Sequence, residues 1–340
     1  LLGGWLVSAA SWRLIFFINL PLAALVAWVA VRHVPETRDA RVRGMRLDLR
    51  GAALAALGLA GLAYALTDGQ GGNFGSPRVL ALGILGVLAL VGFVWHERRT
   101  DHPMVPLELF SSVQFSATNV VTFLIYAALA AALFLLPIEL QQAAGYTPLG
   151  AGVSLVPMTL IILALSARVG RLASAIGPRL PMTVGPLLAG AGLLLLRRVG
   201  VHASYVPDVL PAIVVFGTGM ALTVAPLTST VLAAGGEEHA GVSSAVNNEV
   251  ARAAGLLAVA VVPLAAGLSG AVYRHPGALT AGFHTAVAIS GALCIAGGLL
   301  SWATIRRVPG PTDEAAEASS CPLNAPPLRR GQPAPAGRAA

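Results

Sequence analysis

Three polar side chains recur on one face of a long apolar stretch of the sequence. Asn119, Thr122 and Tyr126 are spaced by three and then four residues, and a helix brings such positions to the same side. In a lipid environment a polar face of this kind turns away from the hydrocarbon. Two interpretations are open: hydrogen bonds to a neighbouring helix, or the wall of a cavity whose few polar groups contact a small molecule.

Glu139 is an acidic residue near the end of the same apolar stretch. Ionisable side chains in such stretches mark proton or ion pathways by default. However, Glu139 lies beyond the predicted end of the helix. This favours a position at the outer rim of the membrane, where water solvates a charge. The sequence therefore gives Glu139 two interpretations, a proton-coupling group and a solvated rim carboxylate; His284, near the start of the last apolar stretch, is expected at the interface.

A second group of polar residues lies further along the chain. Glu249 and Arg252 are three residues apart and could form an ion pair on one helix face, while Ser244, Asn248 and Arg252 recur every four residues. If the helix begins near Gly241, Arg252 lies about 16 Å along it and needs a partner. If the helix begins in the cytosol, the pair is a rim ion pair, and this second interpretation is the favoured one. Asn248 joins the candidates for a substrate cavity.

The elements that position these residues follow from composition. Of the 340 residues, 56% are hydrophobic and 11% are charged, against roughly 25% charged in soluble domains. The charge-free runs reach the roughly 17–25 residues that cross a bilayer as a helix. They predict an all-α membrane protein with nine complete transmembrane helices, near 14–31, 51–67, 79–95, 113–137, 149–167, 180–196, 209–234, 241–267 and 279–303.

Small residues predict close packing in the second span. Ala52, Ala56 and Ala60 recur every fourth residue, and such a stripe lets helices approach closely in lipid. Further along, basic residues indicate orientation: with the segment 32–50 in the cytoplasm and the spans alternating, most loop arginines fall on the cytoplasmic side. We therefore expect a multi-pass protein of the plasma membrane, such as a bacterial cytoplasmic membrane, with a cytoplasmic C-terminus.

Several classes of function are disfavoured by the sequence. The net charge of +7 comes from arginines placed as membrane topology requires, so we expect no nucleic-acid partner. The scattered His and Cys residues lack metal-ligand spacing, and no phosphate-binding glycine loop is present. The loops are also too short for a soluble catalytic domain. We therefore expect no metal, no cofactor and no enzyme.

Short motifs along the chain resemble a known transporter family. Leu1–Trp5 looks like the tail of the antiporter motif of helix five, and the run 11–21 is similar to the entry to helix six in major facilitator drug exporters with fourteen spans. A third segment, 170–179, looks like the copy of the family's cytoplasmic loop motif that occurs in the C-terminal half. The motif residues are Gly3, Gly4, Trp12, Arg13, Asn19, Pro21, Gly170, Gly177 and Arg179. The chain thus resembles the fourteen-span drug:proton antiporter branch of the Major Facilitator Superfamily.

This resemblance implies a major facilitator-type helical bundle and a division of the chain. Residues 1–32 would hold the end of helix five and helix six, 33–112 a cytoplasmic loop and a two-helix linker, 113–307 the C-terminal six-helix bundle, and 308–340 a disordered cytoplasmic tail. Helices one to four and most of helix five would precede Leu1, so the chain looks like an N-terminally truncated fragment.

The resemblance also implies a function. We expect a secondary active transporter that exports amphipathic, often cationic, drugs or antibiotics by alternating access in exchange for protons. Its partners would be membrane lipid, the small amphipathic substrate, protons and the preceding helices of a longer protein. The alternative is a transport-inactive membrane protein, or a half-transporter that needs an N-terminal partner.

Overall fold

The computed structural model describes most of the chain. It covers residues 13, 17–33, 48–69, 73, 75–100, 103, 105, 107–236 and 239–305. The motif residues Gly3, Gly4 and Trp12 and the predicted tail 308–340 lie outside the described residues.

The described residues are arranged almost entirely as helices. The helices are α1 (Asn19–His33), α2 (Leu49–Asp68), α3 (Pro77–Glu97), α4 (Val113–Gln142), α5 (Pro148–Ser154), α6 (Val156–Ile176), α7 (Arg179–Leu195), α8 (Leu210–Gly235), α9 (Ala240–Ala265) and α10 (Pro276–Thr304). Short 3₁₀ turns occur at Leu107–Ser111, Leu196–Arg198 and Gly270–Arg274, and a π-helical turn at Tyr205–Val209 precedes α8. No strand occurs among the described residues.

Eight stretches of the described residues are long and apolar enough to cross a membrane. They coincide with the second to ninth predicted spans, so the prediction of an all-α membrane protein is confirmed. The first predicted span, 14–31, is described only in part, and α1 covers 15 residues of it and of the loop that follows.

The predicted span at 149–167 is interrupted in the structure. Helix α5 is capped by Thr147, whose Oγ1 accepts from the Gly150 N–H at 3.0 Å, and it ends at Ser154. Leu155 separates it from α6, which has Pro157 in its first turn. Because proline lacks an N–H and disfavours helical geometry in the residue before it, the hydrogen-bond ladder breaks at this point.

Helices α4 and α6–α10 form a bundle in which each helix packs closely against one or two others. The closest pairs are α6 with α8, α8 with α7, α7 with α10, α10 with α4, and α4 with α9. Half of the most apolar part of α4 is buried, against 11% for α3. The pair α2–α3 packs chiefly on itself and touches the bundle through α9. The bundle therefore contains most of the protein core, and α2–α3 faces outward.

The close approach of α2 and α3 uses glycine rather than the predicted alanine stripe. Gly58 and Gly86 meet backbone to backbone, since a Cβ added to Gly86 would lie 2.9 Å from the Gly58 carbonyl oxygen. Ala56 and Ala60 are exposed and Ala52 is half-buried. The prediction from the alanine stripe was therefore wrong: the face of α2 that packs is rotated away from it.

Helices α7 and α8 also touch through their backbones. A Cβ on Gly219 would lie 2.6 Å from the Gly185 carbonyl oxygen, and one on Gly192 would lie 2.7 Å from the Cα of Phe216. On the other side of α7, a Cβ on Gly190 would lie 2.9 Å from the Gly291 carbonyl oxygen of α10. Small residues of this kind let helices approach within van der Waals distance in lipid.

The loop-motif residues close the turn between α6 and α7. Gly177 caps the C-terminal end of α6 with a φ of 86°, a backbone angle that residues other than glycine rarely adopt. Arg179 begins α7, and its Nε and Nη2 donate to the Trp302 carbonyl oxygen at 3.0 and 2.7 Å. Gly170 lies in α6, and its carbonyl oxygen accepts from the Ser174 Oγ at 3.1 Å. Arg179 thus ties α7 to the C-terminal end of α10, where a cation is favoured.

The helix-six motif is only partly described. Arg13 is an exposed turn residue whose carbonyl oxygen accepts from the Phe17 N–H at 3.4 Å. Asn19 is the first residue of α1, and Pro21 lies in its first turn, where a missing N–H costs nothing.

Polar contacts join the start of α2 to the end of α3. The Asp48 Oδ1 caps α2 by accepting from the Gly51 N–H at 2.9 Å and lies 2.9 Å from the His96 Nε2. Glu97 is buried, and its Oε2 accepts from the Val105 N–H at 3.3 Å. The Gly51 N–H, with the His96 side chain, holds the pKa of Asp48 below its ordinary value.

Candidate functional site

A polar cavity of about 220 Å³ lies between α4, α8 and α9. We call it the Arg252 cavity; its lining residues are Tyr126, Thr228, Val231, Leu232, Ser244, Asn247, Asn248, Ala251 and Arg252. Tyr126, Asn248 and Arg252 were singled out in the sequence, on stretches far apart in the chain. The structure brings them to one cavity.

The remaining predicted residues of α4 lie directly behind this cavity. Asn119 and Thr122 are buried, with exposed fractions of 4% and 0%. The Asn247 Nδ2 donates to the Asn119 Oδ1 at 3.1 Å and to the Thr122 Oγ1 at 2.7 Å. Both interpretations of the α4 polar stripe therefore have a counterpart in the geometry: one part bonds to a neighbouring helix, and Tyr126 faces the cavity.

Asn247 is the residue that sequence reasoning missed as a site candidate. It was not selected because the stripe of Ser244, Asn248 and Arg252 followed strict spacing by four. Asn247 lies one residue to the side of that stripe, toward α4. A search for any polar residue on α9 that could meet Asn119 would have found it.

Arg252 lies halfway along α9, a position that favours the deep interpretation over the rim interpretation. Helix α9 begins at Ala240, so Arg252 is twelve residues from its start and thirteen from its end at Ala265. At 1.5 Å per residue that depth is about 18 Å, near the centre of a membrane-spanning helix. Arg252 is exposed to the cavity side rather than packed in the core.

The predicted ion pair between Glu249 and Arg252 is absent. Both residues are described, and within the described part of the chain no salt bridge or hydrogen bond joins their side chains. The physical reason is their direction on the helix. Arg252 lines the polar cavity, and Glu249 lines a separate, mainly apolar cavity of about 680 Å³ between α9 and the α2–α3 pair.

Glu139 is fully buried, so its expected position as a solvated rim carboxylate is wrong. It lies in the last turn of α4, but its side chain points toward α10, and its exposed fraction is 0%. The Thr280 Oγ1 donates a short hydrogen bond to the Glu139 Oε1. The Glu139 Oε2 has no hydrogen-bond partner among the described residues.

His284 completes the surroundings of this carboxyl. It follows Thr280 by four residues on α10, which places both on the face toward α4. It is half-buried, and its Nε2 lies 2.7 Å from the Val199 carbonyl oxygen. The Nε2 therefore carries a proton and donates a hydrogen bond to that carbonyl oxygen. We call Glu139, Thr280 and His284 the buried carboxyl site.

The two sites are separate along α4. Glu139 lies thirteen residues beyond Tyr126, the residue of α4 that lines the Arg252 cavity, which is about 20 Å along the helix axis. Within the described ranges no group of His, Cys, Asp and Glu residues could hold a metal ion. The arrangement can bind a small polar or charged group in the Arg252 cavity, and it can hold or release a proton at the buried carboxyl site.

Comparisons with known proteins agree with this architecture. The family model described as Major Facilitator Superfamily matches residues 1–260. The chain is 31% identical over 276 residues to the multidrug resistance protein Stp of Mycobacterium tuberculosis, which covers 81% of the chain and 51% of the relative. It is 31% identical over 336 residues to the puromycin resistance protein pur8 of Streptomyces alboniger, covering 95% of the chain and 66% of the relative.

A third relative carries export in its name. The chain is 30% identical over 264 residues to the tetracenomycin C resistance and export protein of Streptomyces glaucescens, covering 77% of the chain and 48% of that protein. The chain spans about half the length of two of these three relatives. With the family match extending over most of its length and eight helices able to cross a membrane, the chain is a multi-pass membrane protein that belongs to the Major Facilitator Superfamily.

Proposed function

We propose that this chain forms part of a secondary active transporter that exports small amphipathic drugs or antibiotics in exchange for protons. The observation that carries the proposal is the Arg252 cavity, a polar space about halfway along membrane-spanning helices. A polar cavity at that depth is costly in lipid and is typical of a substrate pathway. The names of the relatives, which include multidrug resistance and tetracenomycin C export, support the same function.

In this proposal the Arg252 cavity binds the substrate and the buried carboxyl site binds the proton. Tyr126, Asn248 and Arg252 would contact the substrate, with Asn119 and Thr122 holding the cavity wall through Asn247. The Glu139 carboxyl would take up and release the coupled proton. Alternating access would then connect the cavity to each side of the membrane in turn. In this proposal the protein lies in the plasma membrane with its C-terminus in the cytoplasm.

Transport is tested with the gene expressed in its full reading frame in a drug-sensitive bacterium. Puromycin and tetracenomycin C, named for the relatives, serve as test substrates. We expect raised resistance and uptake of at least one of them into inside-out vesicles when a proton gradient is imposed. Uptake that persists after an ionophore collapses the gradient would contradict proton coupling, and absence of uptake of every tested compound would contradict export.

A second candidate is a half-transporter that acts with a separate N-terminal partner. Helix α1 favours it, because no residue of this apolar helix is buried. Co-expression of this chain with the part of pur8 that precedes the matched region tests it. Export that appears only on co-expression supports the half-transporter, and export by the chain's own reading frame alone contradicts it.

A further inference from the structure

Arg252 carries its charge about halfway along a helix that is able to cross a membrane. It is the central residue of the 26-residue helix α9, about 18 Å from either end. An arginine at such depth pairs with an anion or with carbonyl groups, or it lines a water-filled space. Within the described residues its guanidinium has no hydrogen bond or ion pair.

The described residues that line the cavity supply no counter-ion. Apart from Arg252 and the Tyr126 phenol, its lining residues cannot ionise, and none is a carboxylate. Glu249 is close in sequence, but it lines the other cavity. The space beside Arg252 is therefore positive.

The hydrogen-bond donors left unused in the cavity also favour an anion as its ligand. The Asn247 Nδ2 is already bonded to Asn119 and Thr122, and the Asn248 Nδ2 donates to the Ser244 carbonyl oxygen at 2.9 Å. The Tyr126 hydroxyl and the Arg252 guanidinium make no hydrogen bond within the described part of the chain. A phenol and a guanidinium that converge on one space are donors suited to an oxyanion.

From this geometry we infer that the Arg252 cavity binds the anionic oxygens of an acidic amphipathic substrate, with a carboxylate as the simplest case. The inference rests on the proposed function and refines it, because the family resemblance led us to expect often cationic substrates. The guanidinium neutralises the carboxylate, and the Tyr126 hydroxyl donates to one of its oxygens. The apolar part of the substrate lies toward Val231, Leu232 and Ala251.

Binding is measured with a pair of compounds that differ in charge but hardly in size. Radiolabelled 2-naphthylacetate and 2-naphthylacetamide are titrated by equilibrium dialysis against the purified chain in dodecyl maltoside. A charge-assisted hydrogen bond contributes roughly 1.5–3 kcal/mol, which corresponds to about a ten- to hundredfold change in Kd. We expect the acid to bind at least tenfold more tightly than the amide.

Variants assign the effect to the guanidinium. Arg252→Gln is expected to weaken binding of the acid at least tenfold and to leave the amide unchanged, which also shows that the variant is folded. Arg252→Lys should retain most of the charge preference. Arg171→Gln, an exposed arginine of α6, is the matched control and should change neither Kd. Equal binding of acid and amide to the wild-type chain, or an unchanged acid Kd in Arg252→Gln, would overturn the inference.

A lipid phosphate is the other source of an oxyanion. Repeating the titration in phosphatidylcholine nanodiscs separates the two: the acid should still bind, because Arg252 lies at the depth of the hydrocarbon core. Loss of acid binding only in phospholipid would assign the cavity to a headgroup and overturn the inference. Because binding is read without transport, charge-selective binding with no proton-driven export would refute the proposed function and leave this inference standing.

Discussion

Helix α4 carries two buried polar sites that complete their hydrogen bonds in different ways. At the first, Asn119 and Thr122 both accept from Asn247 of α9. At the second, Glu139 accepts from Thr280 of α10, and its other oxygen has no partner in the described part of the chain. Amides and hydroxyls keep one charge state at physiological pH, whereas a carboxyl can gain or lose a proton. The first site therefore fastens two helices, and the second can change state.

The largest expected effect follows from removing the titratable group at the second site. Glu139→Gln keeps a side-chain oxygen that can accept from Thr280, so the bundle should fold, but it cannot bind and release a proton. We expect proton-driven export in inside-out vesicles to fall to the background of empty vesicles. Glu108→Gln, a change at an exposed carboxylate in the 3₁₀ turn before α4, is the control and should retain export. Wild-type rates in Glu139→Gln would show that the buried carboxyl is not the coupling group.

A substitution at the first site should lower the stability of the protein instead of its transport rate. Asn247→Leu removes two interhelical hydrogen bonds and leaves the Asn119 oxygen without a donor. Interhelical hydrogen bonds in membranes contribute roughly 0.6 kcal/mol each, and an unsatisfied buried group costs about 1–3 kcal/mol. We expect the free energy of unfolding, measured by titration with dodecyl sulfate in mixed micelles, to fall by about 2 kcal/mol.

Asn248→Leu is the matched control for that measurement. Asn248 is exposed and donates only to Ser244 of its own helix. Its replacement should change the free energy of unfolding by less than about 0.5 kcal/mol. Equal losses in the two variants would mean that the contact with Asn119 and Thr122 does not fasten α4 to α9.

The smallest effect concerns Asp48, a carboxylate at a helix end rather than inside the bundle. Its pKa is lowered in the folded protein, chiefly by the hydrogen bond from the Gly51 N–H. The ionised carboxylate therefore stabilises the folded state. This stabilisation is complete above the ordinary pKa of about 4 and is lost as the pH falls through the pKa of the folded state. We expect the amide protons in the first turn of α2 to have lower protection factors, which are exchange rates normalised to the intrinsic rate at each pH, at pH 3 than at pH 5. Asp48→Asn should remove this difference between the two pH values, and Asp68→Asn, at the other end of α2, should not.

The membrane helices could be predicted from sequence for a physical reason. A segment in lipid must satisfy its own backbone hydrogen bonds, so the length of an apolar run is nearly enough to define a helix. The spans at 51–67 and 279–303 illustrate this, since their helices extend them by only a few residues. The break at Leu155 was less visible, although Pro157 marked it.

Rotation about the helix axis could not be predicted in the same way. In a soluble helix the buried face is apolar and the exposed face polar, but in lipid both faces are apolar. The pattern of apolar residues therefore did not indicate that Glu139 turns inward, or that Gly58 rather than Ala56 packs against α3. The depth of Arg252 depended on where α9 begins, and His239 at that point makes no side-chain capping bond that could mark the start.

The glycine contacts between α7 and α8 have a mechanical consequence. Packed helices slide past one another through small adjustments of the side chains between them. Where Gly219 meets Gly185 and Gly192 meets Phe216, the backbones touch and no such layer exists. We expect α7 and α8 to move together as one rigid unit. Any rocking of the bundle must then take place at its other helix interfaces. One of these is the interface between α8 and α9, which borders the Arg252 cavity.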